Sequence, residues 1–173
     1  PIGPPNNKPI IGAYISFEKL IQKITAIQFL YDNNSVKNPN KSSPALLGHK
    51  VIGKVDNYNN NIEQSNFVCP ANSAIYRIDS LLDNTGIVGL KFYCKDIDTG
   101  KNLKLSKYNK YISFGIEPVP SNIDYIYQSA KCEPVFHKTN NLYYPSFFSK
   151  ISGTFDNQII QNINFKNCTY YKK

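Results

Sequence analysis

A short hydrophobic pattern occurs three times along this chain: an isoleucine, an aliphatic residue three positions later and a phenylalanine two positions after that. The three copies are Ile24–Phe29, Ile87–Phe92 and Ile160–Phe165. Their first residues are 63 (87 − 24) and 73 (160 − 87) positions apart, and Asp-Asn precedes the second and third copies at the same distance. Because self-similarity at a regular spacing indicates repeated structural units, the pattern predicts three units of similar length.

Hydrophobic and polar residues alternate within each copy, as expected for a β-strand with two different faces. In the second copy Leu90, Phe92 and Cys94 share one face, while Lys91 and Tyr93 share the other. The first isoleucine of each copy is out of phase with this alternation, which predicts a β-bulge or a bend directly after it. The shared parity predicts a common core that contains Leu90, Phe92, Ile27, Phe29, Ile163 and Phe165.

The segments between the copies are less regular. Residues 15–27 also carry hydrophobic side chains at helical spacing, so a helix competes with the strand there, and the repeat favours the strand. Ala45–Val55 is predicted as a strand, whereas Asp32–Pro44 and Asp56–Asn66 are polar and asparagine-rich and are predicted as loops. Pro1–Pro9 is predicted as an extended N-terminal arm.

The composition supports an all-β fold. The 173 residues include 13 Tyr and 10 Phe, which favour strands, and 11 Pro and 9 Gly, which interrupt them. We therefore predict one domain, residues 1–173, built as a β-prism. Its three antiparallel sheet units, at about residues 10–55, 65–115 and 125–171, would surround a pseudo-threefold axis. A β-trefoil is the alternative threefold fold, but its repeat units are shorter than those found here.

The four cysteines indicate two disulfides. They are Cys69, Cys94, Cys132 and Cys168, and none forms a C-x-x-C pair of the kind used by zinc and redox sites. Three pairings are possible. If a hairpin turns through residues 81–86 and places Ile75 opposite Val88, it also places Cys69 opposite Cys94. This register favours the Cys69–Cys94 pairing and leaves Cys132–Cys168 as the second bridge.

Several features lead us to expect a secreted protein. The chain starts at Pro1 and contains no methionine, which suggests that a signal peptide has been removed. Disulfides form in oxidising compartments. Asn33, Asn40 and Asn167 begin Asn-x-Ser/Thr sequons and are candidate glycosylation sites. No apolar run approaches the roughly 18 residues of a membrane-spanning segment.

The second copy also resembles a known family. Asp83–Cys94 is similar to the Asp-x-Thr-x-x-x-Gly-Ile-Arg-hydrophobic-x-Cys repeat of the vitelline membrane outer layer protein 1 family, and the upstream Cys69-Pro70 resembles the start of a unit in that family. The resemblance is close over residues 69–94, partial over residues 156–168 and weak in the first copy. It implies a β-prism, secretion and a role in egg or mucosal barrier layers. The chain differs from the family in having fewer cysteines and no tryptophan.

Jacalin-type lectins share the prism architecture, and their mannose-binding members use an aspartate in the last repeat to bind sugar. Gln161 stands at the comparable position here, and Thr25 and Val88 stand at the matching positions of the other copies. The jacalin sugar site is therefore not expected in any of the three units.

The residues do not suggest a catalytic site. His49 and His137 are the two histidines and lie in different units, without a carboxylate motif beside either. Asp83 and its counterpart Asp156 fall in predicted turns, where such residues cap backbone N–H groups. Glu117 and Asp124 could pair, but nothing in the sequence sets their separation. These observations predict a protein that is not an enzyme and that uses no cofactor or metal.

The positive charge provides the clearest functional indication. The formal net charge is +8, and Arg77 is the single arginine, which argues against base-specific recognition of nucleic acid. Every third residue from 101 to 110 is a lysine, interleaved with leucine and tyrosine residues, which predicts a basic ligand-binding strip or else a solvated edge. The predicted strip consists of Lys101, Lys104, Lys107, Lys110, Tyr108 and Tyr111.

These observations predict a secreted, non-catalytic β-prism protein that binds glycans, acidic polysaccharide or extracellular barrier components. One alternative is a module that recognises anionic lipid, as threefold β-domains do at the C-terminus of apicomplexan perforins. Another alternative, suggested by the family resemblance, is a weak carbohydrate-active transferase.

Overall fold

The computed structural model describes residues 8–32, 46–48, 51–53, 61–155 and 160–170, with the side chains of residues 32, 46–48, 150–155 and 161–167 outside the description. Within these ranges the chain forms strands and no helix, so the all-β prediction is confirmed. The strands are β1 Ile10–Glu18, β2 Lys23–Asp32, β3 Leu46–Gly48, β4 Ile52–Gly53, β5 Ile62–Val68, β6 Ser73–Leu82, β7 Ile87–Asp96, β8 Ile112–Gly115, β9 Ile126–Lys131, β10 Val135–His137, β11 Leu142–Tyr144, β12 Ser146–Phe155 and β13 Ile160–Tyr170.

Two sheets share one connectivity. In the first sheet the β1–β2 hairpin is flanked by β3 and β4 on β2 and by β5 on β1. In the second sheet the β6–β7 hairpin is flanked by β8 on β7 and by β9 on β6. Both have the strand order of a Greek key, in which the fourth strand returns to lie beside the first. A third long hairpin, β12–β13, and a short one, β10–β11, complete the described strands.

A bulge follows the first isoleucine of each repeat, as the hydrophobic pattern predicts. In each hairpin the residue directly after that isoleucine has no partner in the antiparallel register: it is Thr25 in β2, Val88 in β7 and Gln161 in β13. Because a bulge inserts one extra residue, it reverses the alternation of side chains along the strand. The isoleucine before the bulge and the aliphatic residue after it can therefore both face the core.

The side chains that the repeat places on one face in its first two copies do meet in a single core. Ile27, Phe29, Leu90 and Phe92 are at most 1% exposed and belong to one cluster of buried residues. The rings of Phe67 and Phe92 lie 4.9 Å apart. Phe148 and Ile160, from the third hairpin, join the same cluster, and the three long hairpins contact one another pairwise. The side chains of Ile163 and Phe165 lie outside the described residues.

The predicted register of the second hairpin is wrong. Ile75 lies opposite Cys94 rather than opposite Val88, because the turn begins at Asp83 and β6 begins only at Ser73. Asn72 has a positive φ of 58° in the turn that separates β5 from β6. The residues just before this turn therefore belong to the first sheet and not to the hairpin.

Both disulfide pairings are nevertheless confirmed, and each joins a strand end to a long hairpin later in the chain. Cys69–Cys94 joins the end of β5 to β7, and Cys132–Cys168 joins the end of β9 to β13. The local geometry is the same in both. The N–H of Cys69 donates to the Ile11 carbonyl (2.7 Å), and that of Cys132 donates to the Tyr76 carbonyl (2.8 Å). Ile11 in β1 and Tyr76 in β6 each lie at a β-bulge, because neither has a partner in the register of its own hairpin.

The remaining predictions on the elements have mixed outcomes. Residues 15–27 form parts of the β1–β2 hairpin, so the strand interpretation is confirmed over the helix. The loop predicted for Asp56–Asn66 is wrong in its second half, because β5 begins at Ile62. Of the strand predicted over Ala45–Val55, the described residues form two short strands, β3 and β4, which both pair with β2. Residues 1–7 of the predicted arm lie outside the described residues.

Candidate ligand-binding site: the basic loop

The predicted basic strip lies in the connection between β7 and β8, residues 101–111, which we call the basic loop. Its first part is attached to β7, because the Lys101 carbonyl accepts a hydrogen bond from the Asp96 N–H (2.9 Å) and the Leu103 N–H donates to the Cys94 carbonyl (3.1 Å). The partly buried Leu105 packs against the main core. Backbone pairing and one apolar anchor thus hold the loop on the second sheet.

The tip of the basic loop is a tight turn. The N–H groups of Leu105 and Ser106 both donate to the Asn109 carbonyl, at 3.0 and 3.2 Å, and the Asn109 N–H donates to the Ser106 hydroxyl at 3.2 Å. This turn displays Tyr108, whose side chain is 80% exposed, with the Lys107 ammonium 5.3 Å from the centre of its ring. Lys101, Lys104, Lys107 and Lys110 are all exposed.

Tyr111, the last residue of the predicted strip, points to the sheet. Its ring lies 5.7 Å from that of Tyr93, and the Lys91 ammonium lies 4.0 Å from the centre of its ring. Its hydroxyl donates to Glu117 at 2.6 Å. This hydrogen bond raises the pKa of Tyr111 and lowers that of Glu117. Tyr111 therefore fastens the end of the loop to the sheet, while Tyr108 is presented to solvent.

The outer face of the second sheet carries a charge network that sequence reasoning missed. The Asp79 carboxylate is 1% exposed and accepts hydrogen bonds from Arg77 (3.0 Å), Tyr93 (3.0 Å) and Ser129 (2.6 Å). Burial, followed by the negative charge of Asp79, raises the pKa of Tyr93. A buried charge is tolerated when it is fully paired. The available signal was Arg77 and Asp79, two positions apart on one face of a predicted strand.

Asp83 acts as the turn cap that the sequence predicts. Its carboxylate accepts from the N–H groups of Thr85 (2.8 Å) and Gly86 (3.0 Å), and it pairs with the Lys23 ammonium of the first hairpin. Burial alone would raise the pKa of Asp83, but these hydrogen bonds outweigh it and hold the pKa well below its ordinary value. Asp156 lies outside the described residues.

The other candidate residues do not come together. The His137 ring nitrogen lies 2.9 Å from the Thr139 hydroxyl, and the ring packs on Tyr144. Glu117 bonds to Tyr111, whereas the Asp124 N–H donates to Asn122 (3.3 Å). His49, Asn33, Asn40 and the side chain of Asn167 lie outside the described residues. In the described part of the chain, no group of three or more His, Cys, Asp or Glu residues could hold a metal ion, and no helix could span a membrane.

In comparisons with protein-family models, curated proteins and solved structures, nothing matches this chain. Its function is therefore inferred from its own surfaces.

Proposed function

We propose that this chain is an extracellular, non-catalytic β-prism protein that binds acidic polysaccharide through the basic loop. The prism is supported by three hairpins that carry a bulge at the same position and contact one another pairwise. Two of them lie in sheets with the same strand order. Each sheet alone would leave one hydrophobic face in water, so three units that share a core are mutually stabilising.

The extracellular location is supported by the two intramolecular disulfides, which are compatible with an oxidising environment. The resemblance of residues 69–94 to a family of secreted barrier proteins points in the same direction. Such a setting is rich in sulfated and carboxylated polysaccharides, which attract lysine-rich surfaces.

The observation that carries the proposed ligand is the display of four exposed lysines on one anchored loop. Leu105 packs against the core and Tyr111 packs against the sheet, while the side chains of Lys101, Lys104, Lys107 and Lys110 are exposed and available to a polyanion. Exposed charges act over about a Debye length, roughly 8 Å at physiological ionic strength. Binding should therefore weaken steadily as salt is added.

The test compares two variants of equal charge on a heparin column. Lys104, Lys107 and Lys110 are replaced by glutamine in one variant; the control carries the same change at three exposed lysines elsewhere, Lys19, Lys131 and Lys138. Both lower the formal net charge from +8 to +5. We expect the loop variant to elute at clearly lower salt than the control. Equal elution of the two variants would show that net charge alone, and not the loop, governs retention.

A second candidate ligand is an anionic membrane surface, which the exposure of Tyr108 favours. Tyrosine rings are enriched at membrane interfaces, where basic residues beside them contact anionic lipid headgroups. Sedimentation with phosphatidylserine-containing liposomes distinguishes this function. Binding to liposomes that is lost in Tyr108→Ala, without loss of heparin binding, would assign the loop to lipid.

A further inference from the structure

The β10–β11 hairpin displays two aromatic rings on one of its faces. Phe136 and Tyr143 lie directly opposite each other in its register, with their ring centres 4.9 Å apart. Phe136 is 44% exposed and Tyr143 is 70% exposed, and neither belongs to a cluster of buried residues. We call these two side chains the aromatic pair. Because burial of an aromatic ring is strongly favourable, two exposed rings side by side indicate a surface that binds a ligand.

The opposite face fixes the hairpin on the protein. Tyr144 is buried, its ring stacks on that of Tyr170 at 5.9 Å, and the His137 ring packs against both. The hydroxyl of Ser146 donates to the Glu133 carbonyl and closes the base of the hairpin. The chain segments directly before and after the hairpin belong to the described residues. The aromatic pair is therefore held on an anchored support, so little conformational entropy would be lost when a ligand binds.

The aromatic pair lies on the side of the hairpin where the basic loop begins. β11 ends directly before Pro145 and β12 begins directly after it, so Tyr143 and Pro145, two positions apart in extended chain, share a face. Gly100, the residue before the basic loop, lies against Pro145, since a β-carbon at Gly100 would be 3.0 Å from the Pro145 ring. Two residues of extended chain span at most about 7 Å. The exposed Lys101 and the aromatic pair are therefore close enough for one chain of a few sugar residues to contact both.

The surroundings of the aromatic pair favour a sugar over a membrane or a protein partner. The four residues at the tip of the hairpin, 138–141, are polar and exposed, so the part that would enter a lipid bilayer first is hydrophilic. Two aromatic side chains expose at most a few hundred Å², well below the roughly 800 Å² per partner of a stable protein interface. Their surface matches the apolar C–H face of one or two sugar rings, which pack on aromatic rings while the sugar hydroxyl groups stay in water.

We propose that the aromatic pair is the stacking surface for sugar rings of the same acidic polysaccharide whose charged groups bind the basic loop. This inference rests on the proposed function and divides the binding between two surfaces. The lysines of the loop contribute through charge, which salt screens. Phe136 and Tyr143 contribute through apolar contact, which salt does not screen, and they distinguish a polysaccharide from a polyanion without sugar rings.

The test measures affinity for heparin oligosaccharides and for inorganic polyphosphate, a polyanion without sugar rings, at several salt concentrations. The double variant Phe136→Thr/Tyr143→Thr keeps residues that favour strands. It should bind heparin about tenfold more weakly at every salt concentration and polyphosphate unchanged, because only the stacking contacts are lost. The triple lysine variant of the basic loop should lose affinity for both polyanions, and its affinity should depend less steeply on salt, because fewer counter-ions are released.

A matched control is Tyr14→Thr/Ile126→Thr, which removes two exposed apolar side chains from strands elsewhere and should bind heparin like the wild type. The chain contains no tryptophan, so Tyr143→Trp introduces a single fluorescent reporter. Its emission should shift when heparin is added, which tests the aromatic pair without the double variant.

The outcomes separate this inference from the proposed function. Equal heparin affinity of the double variant and the wild type, or an equal loss of affinity for polyphosphate, would overturn the stacking surface, while the lysine variant still decides the role of the basic loop. A reporter that responds to phosphatidylserine vesicles but not to heparin would assign the aromatic pair to a membrane instead. No heparin binding by the wild type would overturn both proposals.

Discussion

Two lysines in β7 show how charged side chains can be buried on a face of this sheet. Lys91 and Lys95 fall on the face that the sequence assigns away from the core, yet both are buried. The Lys91 ammonium reaches the Pro118 carbonyl (3.2 Å) and the ring of Tyr111. The Lys95 ammonium lies 4.7 Å from the centre of the Tyr76 ring. Burial, followed by repulsion from Lys131, lowers the pKa of Lys95. The aliphatic parts of both lysine side chains thus pack on the sheet, and their ammonium groups make cation–π contacts with tyrosine rings.

At the scale of single residues, Phe92 is the most informative position to truncate. It is fully buried and contacts the rings of Phe67 and Phe114. Phe92→Ala should lower the free energy of unfolding by about 3–5 kcal/mol, because the cavity is lined from two sheets and cannot collapse easily. Denaturant unfolding measures the change. Tyr108→Ala, at an exposed position, is the control and should change stability by less than about 0.5 kcal/mol. A loss below about 1 kcal/mol in Phe92→Ala would contradict the shared core.

Among the elements, the turn between β6 and β7 couples local and long-range structure. Asp83 caps the turn within its own hairpin and also pairs with Lys23, which begins β2 of the other hairpin. One carboxylate therefore fixes where the second hairpin turns and how it docks on the first.

The same carboxylate should make stability dependent on pH. The pKa of Asp83 is lower in the folded state than in the unfolded state, so the unfolded chain takes up the proton first as pH falls. Its contribution is complete above the unfolded pKa of about 3.9 and is lost progressively below it. Asp83→Asn should reduce the free energy of unfolding at pH 7 by about 1–3 kcal/mol. The difference from the wild type should shrink between about pH 4 and pH 2.

Urea unfolding at several pH values measures this difference. Asp124→Asn, at an exposed position, serves as the control, and its stability should follow that of the wild type at every pH. A difference between Asp83→Asn and the wild type that stays constant down to pH 2 would show that the ionised carboxylate is not the stabilising species.

At the scale of the whole molecule, the disulfides join the long hairpins in succession. Each bridge starts from a cysteine that follows the outer strand of one sheet and ends in the second strand of the next long hairpin. The sequence separations are 25 and 36 residues. From chain entropy alone, the bridge that closes the longer loop should add only about 0.3 kcal/mol more to the free energy of unfolding than the other bridge. The environments differ more, because Cys69, Cys94 and Cys132 are buried, whereas Cys168 is exposed.

We therefore expect the Cys69–Cys94 bridge, which closes the shorter loop, to contribute more to the free energy of unfolding than the Cys132–Cys168 bridge. Replacing Cys69 and Cys94 by alanine should cost about 3–5 kcal/mol, since two buried sulfur atoms are lost together with the loop closure. Replacing Cys132 and Cys168 should cost about 2–4 kcal/mol. Guanidinium unfolding of the two double variants gives the comparison. If removal of Cys132–Cys168 proved the more destabilising, loop closure rather than burial would dominate.

The repeat, the bulges and the core parity of the first two copies could be predicted from the sequence, whereas the correct cysteine pairing was reached from a hairpin register that is wrong. The repeat, the bulges and the parity depend on the alternation of side chains along a strand and on residue spacing, which are local properties of the backbone. Ile24 and Ile87 illustrate this, because their phase relative to the following residues is sufficient to predict the bulge.

The tertiary structure alone decided the hairpin register, the inward orientation of Tyr111 and the formation of the Asp79 network. That network combines residues 77 to 129. Its contacts form only when strands distant in sequence become neighbours in a sheet. The alternation of polar residues places them on a face, but only the neighbouring strands determine which ion pairs and hydrogen bonds form there.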